Sequence, residues 1–255
     1  MPVDPMILLP PSEGKTPGGT GRWKPGAGRF AALGPTRAGV AAALATAMAD
    51  PALARKLTGL SGERADRAVD ANRRVLAGPT LPARRRYSGV VWEHLGPAAI
   101  SGAARRRASQ IVVVSALGGA FGFDEPVPDY KLKMGASLPG IGSLAALWRP
   151  VLAAALAEAA AGAPVWDLLP AEHRRAIDVD AFDKLTVVDF RAAGGQGAAG
   201  HAAKAAKGRF TRWLLEAGAD PLDAADRFSW DGWTGRVEHA GLVVVTAGGT
   251  HGGRR

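Results

Sequence analysis

The chain has 255 residues, of which 47% are hydrophobic and 22% are charged, and it contains no cysteine. This composition excludes a wholly disordered protein, a disulfide scaffold, a thiolate metal site and a cysteine nucleophile. The net charge of +9 is typical of nucleic-acid-binding proteins, but a general bias towards arginine, alanine and glycine produces the same total.

Apolar runs and turn signals predict the elements of the first half of the chain. In order, they are a buried strand at 6–9, a loop at 16–29, helices at 37–49, 52–57 and 63–77, a strand or a loop entering one at 87–92, and a helix at 97–108. Thr36 is expected to cap the first helix. A glycine-containing turn at 57–62 joins the next two helices into a helical hairpin.

The second half begins with the clearest strand, a β-branched run at 110–117, which we expect to be covered on both faces of a sheet. The elements that follow are a long Pro- and Gly-rich connection at 119–142, helices at 144–161, 171–176 and 201–217, strands at 164–169, 184–191 and 241–246, and a Gly-rich loop at 193–200. Ser143 is the expected cap of the helix at 144–161, and Pro150 is expected to bend or split it. Gly218 is the expected end of the last helix, and Trp230 to Trp233 is interpreted as a packed turn.

Strands that alternate with helices predict an α/β fold with a mixed central sheet flanked by helices. No internal repeat or linker divides the sequence, so we expect a single domain over residues 1–255 with a helical-hairpin subdomain at 50–86. No run of about 18 apolar residues is present, and the first residues lack the pattern of a secretory signal. We therefore expect a cytoplasmic protein without a membrane partner.

A short polar motif follows the first strand. Ser12 to Thr16 matches the second half of a Walker A loop, but Pro17 and the glycines after it cannot open the helix which that motif needs. Ser12, Lys15 and Thr16 nevertheless lie where a strand leaves the sheet, and ligands bind at that edge in open α/β folds. We expect these three residues to bind an anion, with a solvated turn as the alternative.

The helical hairpin carries a cluster of cations around two glycines. A helix-hairpin-helix motif presents turn amides to a DNA phosphate and reads no bases, so its binding is independent of sequence. The candidate phosphate-binding residues are Arg55, Lys56, Gly59, Gly62, Arg64 and Arg67, extended by Arg84, Arg85 and Arg86. An ordinary helix–helix corner with a solvated basic face is the alternative.

Two further segments carry candidate ligand-binding groups. Asp129, Tyr130 and Lys131 lie together in the long connection, where the tyrosine either contacts a ligand or holds the loop against the core. The helix at 201–217 opens with cations, which oppose its dipole and therefore favour a bound anion, unless they only reflect the bias of the whole chain. The residues concerned are His201, Lys204, Lys207, Arg209 and Arg212. The five histidines show no metal-ligand spacing, so we expect neither a metal site nor a cofactor.

Together, these segments resemble the YaaA peroxide-stress family in order and spacing across nearly the whole chain. The matching segments are 7–16, 87–91, 114–119, 129–134 and the helix from Lys204 to Arg212. The resemblance implies a cytoplasmic bacterial protein tied to hydrogen-peroxide resistance and lower free iron. It also implies a compact α/β fold with a basic cleft, a helix-hairpin-helix element and binding of double- and single-stranded DNA. The chain differs where Gly118 replaces a usual tyrosine and where the segment from Phe123 to Pro126 replaces Leu-Arg-Pro.

The first functional hypothesis is a DNA-binding protein of the peroxide-stress response. The hairpin and Arg84 to Arg86 would hold backbone phosphates, and a cleft would be lined by Lys15, Lys131, Lys204, Lys207 and Arg212. The alternative is an enzyme, of lyase or transferase type, that acts on a nucleotide or another anionic small molecule. Its pocket would contain Ser12, Lys15, Asp129, Tyr130, Lys131, His201 and Lys204. A structural or partner-binding protein, with charge that is only compositional, is the third hypothesis.

Overall fold

The computed structural model describes residues 4–198, 200–217, 221–239 and 241–248. Its strands are β1 Met6–Leu9, β2 Thr20–Arg22, β3 Pro79–Pro82, β4 Ile111–Ser115, β5 Gly119–Gly122, β6 Pro126–Pro128, β7 Ser137–Leu138, β8 Gly142–Ser143, β9 Val165–Asp167, β10 Leu185–Arg191, β11 Ser229–Trp230, β12 Trp233–His239 and β13 Leu242–Ala247. Its helices are α1 Gly34–Ala47, α2 Pro51–Thr58, α3 Gly62–Arg73, α4 Ala83–Arg86, α5 Val90–Leu95, α6 Gly102–Ala108, α7 Leu144–Ala160, α8 Ala171–Arg174, α9 His201–Ala217 and α10 Pro221–Asp226. Short 3-10 turns lie at Ala31–Leu33, Pro97–Ala99 and Val179–Ala181.

The central sheet has eight strands in the order β11-β12-β13-β10-β9-β1-β4-β5. Its five middle strands, from β13 to β4, are mutually parallel, and the strands outside them pair antiparallel. Every residue of β1 and β4 is buried, as expected for strands covered on both faces. The predicted α/β class with a mixed, helix-flanked sheet is confirmed.

Several predicted boundaries were wrong. The first helix begins at Gly34, with Leu33 rather than Thr36 at its cap, because Pro35 fits the first turn, where its missing N–H costs nothing. The segment 87–92 is a bridge residue followed by α5, because the apolar face of Val91 and Trp92 packs into the core as a helix. The predicted helix at 97–108 is a 3-10 turn followed by α6.

The long connection at 119–142 contains four short strands, which its high Pro and Gly content did not predict. It holds β5, β6 and β7 and ends at β8. Strand β6 belongs to a small second sheet in the order β2-β3-β6. Four further elements, β3, α4, α10 and β12, were not predicted, and Gly218 lies outside the described residues.

Two local predictions are confirmed. Ser143 caps α7 by accepting a hydrogen bond from the Ala146 amide at 3.4 Å. Of the bend or split that was expected at Pro150, the split is absent, because α7 continues through this residue. The segment between Trp230 and Trp233 is the turn that joins β11 to β12.

Candidate functional site

The candidate site lies at the carboxyl edge of the parallel strands. The chain runs from β1 out to β4 and then returns to β9 on the other side of β1, so the strand order reverses at β1. At such a reversal the loops after neighbouring strands separate and leave a crevice at the carboxyl edge. The loop after β1 carries Ser12 to Lys15, and the loop after β9 leads into α8.

Lys15 is held at this edge by its backbone and by two aromatic rings. It forms an isolated antiparallel bridge with Tyr87. Its Nζ donates a hydrogen bond to the Ser12 carbonyl oxygen at 3.1 Å and lies 4.1 Å from the centre of the Tyr130 ring. Burial lowers the pKa of the amine to about 8, against an opposing contribution from Asp129. In the described part of the chain, no carboxylate forms an ion pair with Lys15.

Tyr130 forms the wall behind Lys15 and does not present its hydroxyl to solvent. The hydroxyl lies 2.7 Å from Ser115 Oγ and 3.1 Å from the Tyr87 hydroxyl, inside the core. Burial raises the pKa of Tyr130 to about 12, so the hydroxyl stays protonated near neutral pH. The tyrosine hydroxyl therefore holds its loop against the core, while Tyr130 also lines the cavities beside Lys15.

Lys131 and Lys133 both form ion pairs with the carboxylate of Glu13. Glu13 Oε2 accepts a hydrogen bond from Lys131 Nζ at 3.1 Å, and Glu13 Oε1 lies 4.0 Å from Lys133 Nζ. The hydrogen bond from Lys131 lowers the pKa of Glu13, and Lys204 adds to this effect through its charge. Asn72 exchanges two hydrogen bonds with the Lys131 backbone and so fixes the loop to α3.

Two cavities share Glu13, Lys15, Tyr130 and Lys131. The larger has a volume of 420 Å³ and reaches from Lys15 to the helical hairpin. Its other lining residues are Gly14, Pro17, Leu60, Arg64, Arg67, Ala68, Ala71 and Asp129. The smaller has a volume of 130 Å³ and continues on the other side of Lys15 towards Glu172 and His173.

A third cavity of 530 Å³ lies beyond His173, between β10 and the start of α9. Arg174, Lys204 and Lys207 line it. Lys207 donates to the Leu168 carbonyl oxygen, and burial lowers its pKa to about 8. Burial also lowers the pKa of His173 to about 4, with Lys207 acting in the same direction. A series of cationic groups therefore follows the carboxyl edge from the hairpin to α9.

The remaining residues of α9 that were predicted to bind an anion contact groups away from Lys15. Arg212 pairs with Glu216 and donates to the carbonyl oxygens of Gly96 and Ala99 at 3.1 Å. Arg209 lies over the Trp230 ring at 5.7 Å. His201 is exposed beside the His94 ring, and it lines none of the three cavities. The structure thus separates these three residues from Lys15.

The predicted phosphate-binding residues of the hairpin remain exposed. This group consists of Arg55, Lys56, Gly59, Gly62, Arg64 and Arg67. Both glycines have positive φ angles, of 63° and 57°, and face open space. Arg67 lies 3.5 Å from Glu63, and both side chains are exposed.

The arginine triplet of α4 has three different environments. Arg86 is fully buried and donates to the carbonyl oxygens of Gly18 and Pro79 at 2.9 Å, and also to those of Thr16 and Val127. Arg84 forms an ion pair of 2.6 Å with Asp124, while Arg85 is exposed. Arg86 is therefore a structural residue that solvent cannot reach, and it does not extend the basic surface.

The polar groups of the loop after β1 form hydrogen bonds within the loop and with the neighbouring segment at 86–88. Ser12 Oγ accepts a hydrogen bond from the Ser88 amide at 3.1 Å and donates to the Gly14 carbonyl oxygen. The backbone of Thr16 bonds with Arg86 through both its amide and its carbonyl. Of the three residues predicted to bind an anion here, Lys15 is the one whose charged group faces the larger cavity.

Sequence reasoning missed Glu13, Asn72 and His173 as site residues. Glu13 lies inside the predicted motif, but its role depends on two lysines far along the chain. The pairing of Asn72 with Lys131 has no local sequence signal. At Gly118, a Cβ would collide with the Phe121 ring, which fills the adjacent space, and Gly118 lines none of the three cavities.

The described residues contain no group of three His, Asp or Glu side chains that could hold a metal ion. No helix among residues 4–198, 200–217 and 221–239 has both the length and the apolar content needed to cross a membrane.

Comparison with known proteins identifies relatives along almost the whole chain. The family described as "Peroxide stress protein YaaA" matches residues 6–238. A UPF0246 protein of Streptomyces coelicolor is 36% identical over 227 residues, which cover 87% of this chain and 86% of the relative. A UPF0246 protein of Corynebacterium glutamicum is 31% identical over 246 residues, which cover 94% of each chain. The chain therefore belongs to the YaaA family of peroxide stress proteins.

Proposed function

We propose that this protein binds DNA through its phosphate backbone, with the helical hairpin and the cleft beside Lys15 forming one continuous basic surface. The observation that carries the proposal is the 420 Å³ cavity, which is lined at one end by Lys15 and Lys131 and at the other by Arg64 and Arg67. Side chains that are distant in sequence thus contribute to one concave surface. These four cations outnumber the carboxylates of Glu13 and Asp129 in the lining, and a cleft with an excess of positive charge attracts a polyanion.

The hairpin adds groups that can contact a phosphate at close range. Four cations lie between residues 55 and 67, against the carboxylates of Glu63 and Asp66. The Ser61 side chain makes no capping hydrogen bond, so the first amides of α3 are available to a phosphate oxygen. Because Gly59 and Gly62 lack side chains and face open space, a phosphate can approach the backbone of the turn.

These groups would contact the phosphate backbone of DNA and no base edge. We therefore expect binding to duplex and single-stranded DNA without sequence preference. Among proteins of a peroxide-stress family, this activity would place the chain on DNA when oxidants damage it. We expect the protein to act in the cytoplasm, where the bacterial chromosome lies.

The salt dependence of affinity tests the proposal. We expect the association constant for a duplex of arbitrary sequence to fall with salt, with a log–log slope of about −0.9 for each phosphate contact. Fluorescence anisotropy titrations at several salt concentrations measure this slope, with a scrambled duplex as the control for sequence preference. An affinity that does not change with salt would contradict the proposal.

The alternative of an enzyme that acts on a nucleotide or a small anion has one specific observation in its favour. Lys15 is half-buried and lines a cavity that also contains Asp129, and burial lowers the pKa of its amine. Such an amine is a nucleophile near neutral pH. A small anion that competes with DNA and is consumed would favour this alternative.

A further inference from the structure

We propose that Lys15 is the nucleophile of a Schiff-base site that takes the aldehyde of an abasic nucleotide in DNA. The inference rests on the proposed DNA binding and adds a reaction to it. Its basis is the position of the amine on the wall of the same cavity that opens onto Arg64 and Arg67 of the hairpin.

Lys15 differs from the neighbouring lysines in how its amine is held. Lys131 and Lys133 pair with the Glu13 carboxylate, at 3.1 Å and 4.0 Å. The Lys15 amine instead has one carbonyl partner, that of Ser12, and lies against the Tyr130 ring. With a pKa of about 8, about one Lys15 in ten is uncharged at pH 7, which is far more than for an exposed lysine.

The cavity is of a size and polarity that suit a sugar with its phosphates. Its volume of 420 Å³ falls in the range of small-molecule sites. Arg64 and Arg67 line the wall towards the hairpin, where the flanking phosphates would lie. A nucleotide without a base has no stacking or pairing to lose, so it leaves the helix at the lowest cost. Its ring-opened sugar also presents an aldehyde at C1′, which an amine attacks.

The chemistry needs no oxidant, reductant or metal. The lone pair of Lys15 Nζ forms a bond to C1′, and the adduct loses one water to give an imine. Asp129, which lines the same cavity, accepts the proton from C2′. The released electron pair forms the C2′–C3′ double bond as the bond from C3′ to its phosphate oxygen breaks and the phosphate leaves. Water then hydrolyses the imine, which frees the lysine and an unsaturated aldehyde.

Reductive trapping tests the proposal on the full-length protein. The substrate is a 5′-labelled duplex with one abasic site, incubated with sodium cyanoborohydride so that an imine becomes a stable amine. We expect a covalent protein–DNA adduct, with the modified lysine identified as Lys15 by peptide mass spectrometry. Lys15→Arg keeps the charge but forms no imine, so at equal fractions of bound duplex we expect trapping to fall by about tenfold or more.

Lys184 provides the matched control because it is exposed at the amino end of β10, the opposite edge of the sheet. Lys184→Arg should trap as the unaltered protein does. If the protein binds the duplex and yields no adduct, or yields one on lysines other than Lys15, the Schiff-base proposal is wrong and DNA binding stands. If neither intact nor abasic duplex binds, the proposed function fails and this inference fails with it. Peptide mapping of the unaltered protein keeps the test valid even where Lys15→Arg does not fold.

Discussion

At the scale of single residues, Lys15 and Lys207 share one arrangement. Each amine donates to a backbone carbonyl oxygen and lies over an aromatic ring, at 4.1 Å from the Tyr130 ring for Lys15 and 5.2 Å from the Phe190 ring for Lys207. Burial is the largest influence on both amines and lowers each pKa to about 8. Both lysines line cavities at the carboxyl edge, so the fold holds amines with lowered pKa at two points along this edge.

The lowered pKa of Lys15 implies a pH-dependent stability. Below pH 8 the Lys15 amine is charged in the folded protein, and burying this charge lowers the free energy of unfolding. Lys15→Met removes the charge and should therefore raise the free energy of unfolding at pH 7 by about 1–2 kcal/mol, a value reduced because the side chain is partly exposed to solvent. Between pH 8 and about pH 10.5 the folded state has lost this proton and the unfolded state retains it. The unaltered protein therefore gains stability with rising pH, and the advantage of the variant should shrink.

Urea unfolding of both proteins at pH 7 and pH 10 measures this difference, and the contribution of Lys207 cancels in the comparison. A variant that is less stable at pH 7, or a difference that does not change with pH, would show that the buried charge is not costly.

Arg86 provides a prediction about stability rather than binding. Its guanidinium donates to four backbone carbonyl oxygens from three separate segments of the chain. Arg86→Met would leave these acceptors without a donor and should lower the free energy of unfolding by about 2–4 kcal/mol. The exposed neighbour Arg85→Met is the matched control and should change stability by less than about 0.5 kcal/mol. Chemical denaturation distinguishes the two, and equal effects would refute the structural role of Arg86.

The environments of the three arginines of α4 could not be predicted from the sequence. A basic triplet predicts a solvated or phosphate-binding face, and only Arg85 has such an exposed position without an acidic partner in the described part of the chain. Successive residues of a helix point in directions about 100° apart, so adjacent arginines meet different surroundings. Those surroundings come from distant segments such as β3 and β6, which the triplet itself does not encode.

At the scale of elements, the packing of α5 against α9 depends on one glycine. A Cβ at Gly208 would collide with the Val91 carbonyl oxygen and lie 2.8 Å from His94 Cβ. Since the obstacle is the backbone of α5, a side chain there cannot be accommodated by a change of rotamer. The two helices can approach this closely because residue 208 has no side chain.

The expected effect of Gly208→Ala is therefore a loss of about 3 kcal/mol or more in unfolding free energy. Gly39→Ala is the matched control, because Gly39 is an exposed residue within α1 and has open space around it. That substitution should stabilise the protein by about 0.5–1 kcal/mol through helix propensity. Thermal unfolding monitored by circular dichroism measures both, and stabilisation by Gly208→Ala would contradict the described packing.

Strong local patterns explain which elements the sequence predicted. The apolar run of β4, the capped helix α7 and the glycine-separated pair α2 and α3 all carry such patterns. Strand β12 lacks one, since it alternates weakly and forms near the edge of the sheet by pairing with β11 and β13. Segment 87–92 has a strand-like composition, but its burial against α9 determines a helix.

At the scale of the whole molecule, the distribution of charge matters more than the net value of +9. The sequence predicted one cleft lined by Lys15, Lys131, Lys204, Lys207 and Arg212. In the structure Lys15 and Lys131 share two cavities, Lys204 and Lys207 line a separate one, and Arg212 lines none of the three. The sequence pattern could not predict that Arg86 and Arg212 donate hydrogen bonds to backbone carbonyl oxygens. Whether a cation serves the fold or the surface depends on tertiary contacts, which local patterns do not specify.

Two double charge reversals of equal net change test the central claim most directly. Arg64→Glu with Arg67→Glu changes the cavity beside Lys15, whereas Arg106→Glu with Lys184→Glu changes exposed cations near the amino ends of β4 and β10. The dissociation constant for one duplex, measured at a single salt concentration, should rise by about tenfold or more for the first pair and by less than about threefold for the second. Equal losses for the two pairs would contradict the account, because they would show that net charge alone, and not the basic surface, attracts DNA.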